Sequence, residues 1–381
     1  INITHFKISN TAMSMLYLQD HPPHDFENPV KWKFLATAPQ HYKWIENDYK
    51  PLYDRIINRA KDGLWDINGL MWLEPDTNNP SGESLVRQIL YGVQYFKNHA
   101  GPEFKQTVLF LPDCFGFNAN LPQILLQAEV DSFVTSKISW SEYTDFPYST
   151  FQWRGIDGSI VNCHFITTPS SWGSAMTYTG TSTARELIGT WKSNKQNDLI
   201  RTSALHTSGD GDGGGGITEE MVWNFNIFNE LPRIQEVPRL KFRTIEEVMV
   251  EVRNVSKQLP VWDDELYLEY HRGTYTSFEE VKRQNRNLEA HLHNVEWLMT
   301  TLYTLQSTPS QSVRDSFQPY LDKILPVWED TLLFHFHDCI PGSSINEANI
   351  RTIEAGQKDL DLLRDLEDEL SQKLSDLIQG S

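Results

Sequence analysis

The chain has 381 residues, 39% hydrophobic and 12% aromatic, enough for a sizeable core and two domains and too apolar for a disordered protein. Its 33 basic and 51 acidic residues leave a formal charge of −18, which argues against nucleic acid or a membrane surface as partner and favours neutral or polar ligands. Cys114, Cys163 and Cys339 are too few and scattered for a disulfide framework and point to a reducing compartment; the sequons at Asn2 and Asn254 weigh little against that. No apolar run reaches the roughly 18 residues of a membrane helix and no signal-peptide pattern opens the chain, so a soluble protein is expected.

The first residue is Ile1, not methionine, and no helix-start signal appears before Ser9 and Asn10, so the chain reads as an interior piece of a longer protein. From there to about residue 268 strand and helix signals alternate. "SGESLVRQILYGVQYFKN" opens on Ser81 and places Leu85, Ile89, Val93 and Phe96 on one helical face. "QTVLFLPD", "SFVTSK", "SIVNCHFIT" and "TSALHTSGD" are apolar or β-rich runs of strand length. The alternation predicts an α/β domain over 1–268 with a largely parallel sheet and flanking helices, whose ligand-binding residues gather beyond the carboxyl ends of the strands. Asp113 follows "VLFLP", and Asp210 and Asp212 follow "SALHTS", so all three belong on one face. His164 and His206 read as structural strand residues.

Over 269–381 the texture is helical. Val281, Leu288, Leu292, Val295, Leu298, Leu302 and Leu305 form one stripe, a second helix spans about Phe317 to Phe334, and a third starts near Asn346 with Ile353, Leu360, Leu363, Leu370, Leu374 and Leu377. This predicts a three-helix bundle, with "KDLDLLRDLEDEL" as the solvated side of its last helix.

Two stretches carry chemistry. "SGDGDGGGG", Ser208 to Gly216, lacks the Lys-Ser/Thr of a phosphate loop, and its two carboxylates would repel a phosphate. Carboxylates on separate strand ends suit glycoside hydrolysis, one acting as nucleophile or base and the other as acid. "FHFHDCIPGSS" sets His335, His337 and Asp338 at a helix end that Pro341-Gly342 terminates. A metal site there, with the acid orienting an imidazole, stands beside a plain capping role.

Read together, "WLEPDTNNPSGESLVRQILYG", "LPDCFGFNANLPQIL", "FVTSKISW", "TFQWRGIDGSIVNCHF", "GDGGGGIT", "LYLEYHRGTYTS" and "FHDCIPGSS" resemble the successive signatures of family 38 glycoside hydrolases, the class II α-mannosidases, in their cytosolic and vacuolar branch. The match runs in order from about Phe34 to Ile345. The resemblance implies a barrel-like catalytic domain and a retaining exo-α-mannosidase acting on mannose-containing oligosaccharides. It makes Asp113 the nucleophile and a ligand of a divalent cation, usually zinc, Asp212 the acid/base, and His337 a second ligand. Such a cation would hold ring hydroxyls of the mannose and stabilise developing charge. Asp210 is left as a supporting or alternative acid, with Asp338 behind His337.

Lys137, His271, Arg272 and Tyr275 fall in family motifs near the expected cleft and are candidates for substrate contact. Trp72, Trp140 and Trp153 could form a sugar-stacking wall or core, and Glu74 and Asp76 could bind substrate or cap a turn. The family's His-x-Asp pair, which supplies two further cation ligands, has no counterpart in this sequence, nor does its carboxyl-terminal β-sandwich region. Alternatives stay open: a mannoside-binding homologue without catalysis, a mannosylglycerate hydrolase of the same family, or another metal hydrolase such as a carbohydrate deacetylase. The compartment implied is the cytoplasm, with a vacuole or lysosome-like one as alternative, and homo-oligomerisation stays open.

Overall fold

A computed structural model describes residues 3–170, 175–200, 204–212, 214–230, 238–305 and 311–379, and the side chains of all of these except 3 and 311–314. In chain order its elements are α1 (Ile3–Asp20), β1 (Phe34–Leu35), α2 (Pro39–Asp48), α3 (Lys50–Lys61), β2 (Trp65–Asp66), α4 (Gly82–His99), β3 (Leu109–Phe110), α5 (Leu121–Gln127) and β4 (Ser132–Thr135). Then follow β5 (Thr150–Arg154), β6 (Ile160–Phe165), α6 (Ala184–Ser193), α7 (Glu219–Glu230), α8 (Ile245–Asn254), β7 (Val261–Trp262), α9 (Glu279–Leu305), α10 (Gln311–Phe334) and α11 (Asn346–Gln379).

The chain divides into two compact units, one of residues 1–77 and 88–272, the other of 78–87 and 273–381. In the first, β1 and β2 pair in parallel, and a five-stranded sheet runs β3-β4-β6-β5-β7. Its pairs are parallel except β5 with β6, which form an antiparallel hairpin from Thr150 opposite His164 to Arg154 opposite Ile160. The run "VLFL" is apolar at every position because helices and loops cover both faces of this sheet. Leu109 and Leu111 pack on one side with Phe133, Phe151, Trp153 and Cys163, while Val108 and Phe110 pack on the other with Val134, Met249 and Val252. The fourth expected strand does not form among the described residues. Residues 202 and 203 lie outside them, and the rest of that run is irregular chain with one parallel bridge from Ser208 to Gly180. The helix at the amino terminus starts by Ile3, ahead of Ser9 and Asn10.

In the second unit the stripes become the core. Val281, Leu288, Leu292 and Val295 on α9 are at most 2% exposed, as are Leu332 on α10 and Leu360, Leu363, Leu366 and Leu370 on α11. The stripes stop short of their predicted ends: Leu305 and Leu377 are exposed, so burial fades toward those helix termini. The middle helix begins at Gln311, ahead of Phe317, and carries Pro319 and Pro326 internally. Residues 78–87 join this unit through side-chain bonds: Ser81 N and Ser84 Oγ each donate to Glu289 Oε1 at 2.7 Å, and the Arg87 guanidinium grips Glu296 at 3.1 and 2.7 Å while lying over Trp328.

Candidate active site

Parallel pairing brings the first two site residues together. Phe110 stands opposite Val134, so three residues further along each chain Asp113 comes level with Lys137. Ser136 keeps the chains together past the strands, its N–H and hydroxyl donating to Pro112 O at 3.3 and 2.7 Å. The Lys137 ammonium donates to Asp113 Oδ1, in an ion pair whose side chains are only 13% and 14% exposed. It also sits 4.4 Å from the centre of the Trp140 ring, a cation–π contact. Lys137, expected as a substrate contact, is thus committed to Asp113. Trp140 donates its indole N–H to Met176 O at 3.1 Å.

The second carboxyl oxygen of Asp113 meets a residue the sequence did not flag. Beyond β6 the chain turns back, with Thr177 N–H donating to Thr168 O at 2.8 Å, and this return carries Tyr178. Its hydroxyl lies 3.2 Å from Asp113 Oδ2 and 3.1 Å from Asp212 Oδ1. Burial, then the charges of Asp113, Asp212 and Glu74, push the phenol pKa far up, so it stays protonated.

The glycines allow the ribbon that presents Asp212. Gly211, Gly214 and Gly216 have φ of +52°, +66° and +74°, in the left-handed region that a side chain disfavours. The loop closes through Asp210 N–H to Gly216 O at 2.6 Å and Gly215 N–H to Asp210 O at 3.2 Å. Helix α1 braces it: Thr11 Oγ1 donates to Gly214 O at 2.8 Å, and a Cβ on Gly216 would stand 2.6 Å from Met15 Sδ. At the ribbon's base, His206 Nε2 meets Ser182 Oγ at 3.2 Å, its Nδ1 meets Thr190 Oγ1 at 3.0 Å, and Ser182 reaches Ser208 through paired hydroxyls. Burial lowers the His206 pKa to about 4, so the knot is neutral at pH 7. A cavity of about 1030 Å³ opens beside the site, with Thr37, Glu74, Pro112, Tyr178, His206 and Asp210 in its wall.

The other candidate residues have their own surroundings. Trp72 is 1% exposed with its indole N–H on Gln40 Oε1, and Trp153 is fully buried with its N–H on Asp264 O, so neither offers a face to a sugar. Asp76 is 2% exposed. His271 packs on Phe115 with ring centres 4.6 Å apart, and Arg272 turns to Glu269 O and the Tyr267 ring. Asp210 is exposed and closes the loop through its backbone. Tyr275, His337 and Asp338 belong to the second unit. There Tyr275 accepts from Asn78 Nδ2, His337 is 4% exposed, and Asp338 accepts from Ser343 Oγ at 2.8 Å, which ties down its turn.

Among the described residues no group of three or more His, Cys, Asp or Glu side chains could hold a metal ion, and both Asp113 oxygens meet protein donors.

The fold, an α/β unit followed in sequence by a helical unit, is similar to that of an α-mannosidase and of a family 38 protein, both from Enterococcus faecalis. One superposes with a TM-score of 0.74 at 18% identity, covering 98% of this chain and 40% of that one; another described as a family 38 glycosyl hydrolase gives 0.64 at 17%, covering 98% and 38%. Residues 4–265 match the glycosyl hydrolases family 38 N-terminal domain and residues 269–374 the alpha mannosidase middle domain. The chain belongs to glycosyl hydrolase family 38. It is 38% identical to alpha-mannosidase G of Dictyostelium discoideum over 88% of its own length and 28% of that protein. It is 35% identical to an alpha-mannosidase of Saccharomyces cerevisiae over 90% and 30%, and 34% identical to human alpha-mannosidase 2C1 over 84% and 29%. It therefore spans under a third of these relatives.

Proposed function

We propose that the protein containing this chain is a retaining exo-α-mannosidase that releases terminal mannose from oligosaccharides. Asp113 attacks C1 and forms a glycosyl ester while Asp212 gives its proton to the departing glycosidic oxygen. Asp212 then takes a proton from water, whose oxygen displaces Asp113 from C1. The observation that carries this reading is the single hydroxyl both carboxylates touch. The two Tyr178 distances laid end to end keep Asp113 Oδ2 and Asp212 Oδ1 within about 6.3 Å. A retaining pair stands about 5–5.5 Å apart, and an inverting pair needs about 6.5 Å or more to admit water. Trp140, at the rim of the pair, is the proposed sugar-stacking surface. Glu74 in the cavity wall is a proposed hydroxyl acceptor.

The resemblance also implies a divalent cation, which Asp113 and His337 would help to hold and which would supply positive charge to the ring hydroxyls of the mannose. No described helix is long and apolar enough to cross a membrane; all three cysteines are free, which supports the cytoplasm as the proposed location. The test is proton NMR of mannoside cleavage by the full-length enzyme. The reading expects α-mannose as the first-formed sugar and no turnover in Asp113→Ala. A β-anomer formed first overturns retention, and no cleavage by the unmutated enzyme overturns the mannosidase reading.

A further inference from the structure

We propose that His206 is a positioning residue: its imidazole, protonated at Nδ1, carries a one-way hydrogen-bond chain from Ser208 at the base of the ribbon to helix α6, and this chain fixes where the ribbon presents Asp212. The proposal rests on the acid role proposed above for Asp212. Thr190 sets the direction. Its hydroxyl has one proton and stands 2.8 Å from Glu186 O, a carbonyl that can only accept, and 3.0 Å from His206 Nδ1. Both contacts are hydrogen bonds only when Nδ1 bears a proton and donates it to Thr190 Oγ1. Thr168 Oγ1 lies farther from that nitrogen, at 3.4 Å, and receives the Thr207 N–H. Burial keeps the ring uncharged against the pull of Glu186, so Nε2 retains its lone pair and accepts from Ser182 Oγ at 3.2 Å. Ser182 has then spent its proton, and Ser208 Oγ donates to it.

The chain matters because the ribbon has almost nothing to pack with. From Ser208 to Gly216 its only side chains are Ser208, Asp210 and Asp212, so its place is set by its fastenings. The far end is closed by Asp210 N–H on Gly216 O and braced by Thr11. The near end lies along residues 180–182: Gly180 N–H donates to Thr207 O at 3.1 Å, and Gly209 N–H donates to Gly180 O at 3.0 Å. A Cβ on Gly180 would stand 2.8 Å from Thr207 O and 3.2 Å from His206 Cε1, so only glycine lets the two stretches approach this closely. Ser182 is fully buried at φ +59°, a conformation that a residue with a side chain keeps only when its surroundings enforce it. The same stretch carries Tyr178, whose hydroxyl meets both carboxylates. Releasing Ser208 from Ser182 and His206 therefore lets Asp212 shift relative to Asp113.

The experiment measures kcat/KM, which reports the first displacement, for the full-length enzyme and three variants on two mannosides. One is a disaccharide, whose leaving oxygen must be protonated; the other is a dinitrophenyl mannoside, whose leaving group needs no acid. His206→Asn keeps a donor near the place of Nδ1 and loses the acceptor at Nε2. The misplaced acid then lowers kcat/KM on the disaccharide by about 10- to 100-fold, and on the dinitrophenyl substrate by at least about fivefold less. Ser182→Ala, which removes the hydroxyl and little volume, gives the same split. His206→Gln, whose Oε1 reaches the place of Nε2 and accepts from Ser182, stays within about threefold of the unmutated enzyme on both substrates. Each split is a ratio within one protein sample, so it is independent of the fraction that folds. Equal losses on the two substrates make His206 merely structural, and equal losses in His206→Asn and His206→Gln remove the directed chain; either overturns the proposal. Normal turnover by His206→Asn overturns it too while sparing the mannosidase reading; an inactive unmutated enzyme overturns both.

Discussion

Between Ser208 and Gly216 no side chain is larger than aspartate, and the backbone is held by a helix about 200 residues away in sequence and by a knot of hydroxyls around His206. Along α9 the reverse holds: Leu288, Leu292 and Val295 are fully buried at helical spacing, and position follows from packing alone. The ribbon gives up packing for open space around its backbone, as the proposed chemistry needs, and the bundle gives up space for stability. Substitutions in the two regions should therefore separate catalysis from folding.

The largest effect belongs to the proposed acid of the ribbon, Asp212. Asp212→Asn should lower turnover of a disaccharide by about 10²- to 10⁴-fold with the melting temperature unchanged. Full activity in that variant would hand the acid role to Asp210. In the bundle, Leu292→Ala should cost about 2–5 kcal/mol in denaturant unfolding and leave kcat intact below the melting point. Loss of kcat there with stability preserved would break the division. Gly216→Ala tests the boundary, because it forces a side chain into positive φ and against Met15. About 1–3 kcal/mol of local strain should appear as faster amide exchange across the ribbon, with global stability little changed.

A further effect is set by pH. His164 is buried in β6 with Nδ1 against Thr150 Oγ1 at 2.9 Å and, among the described residues, no hydrogen-bond partner at Nε2, and burial lowers its pKa to about 4 from the usual 6.5. The unfolded chain thus binds more protons between those values. Its contribution to stability is complete above about pH 6.5 and is lost as pH falls toward 4. His164→Gln should flatten that part of a urea-unfolding profile, and an unchanged slope would assign the acid sensitivity to other groups.

The bundle's stripes were legible because one period governs a whole helix, as from Val281 to Leu302. Asp113 was legible as a strand-end residue, since parallel strands carry their carboxyl ends to one edge, whereas Lys137 was legible only through the motif "FVTSKISW". The run before Ser208 looked like a strand, but its partners are side chains and one backbone bridge, which leave no alternating pattern. Trp72 was ambiguous because an indole suits a sugar or a core equally, and Gln40, 32 residues away, decides for the core. Tyr178 left no signal: it lies 65 residues from Asp113 and 34 from Asp212, in irregular chain where no period applies.

The bond from Thr11 to Gly214 spans 203 residues, and the contact of Met15 with Ile217 spans 202. Helices α9 and α11 form from local turns, whereas the ribbon must wait for a loop of that length to close, which slows it in proportion to the entropy surrendered. In refolding, far-ultraviolet circular dichroism should recover first and sugar binding in a slower phase, and that phase should lengthen in Thr11→Val, where the hydroxyl that fastens the late contact is gone.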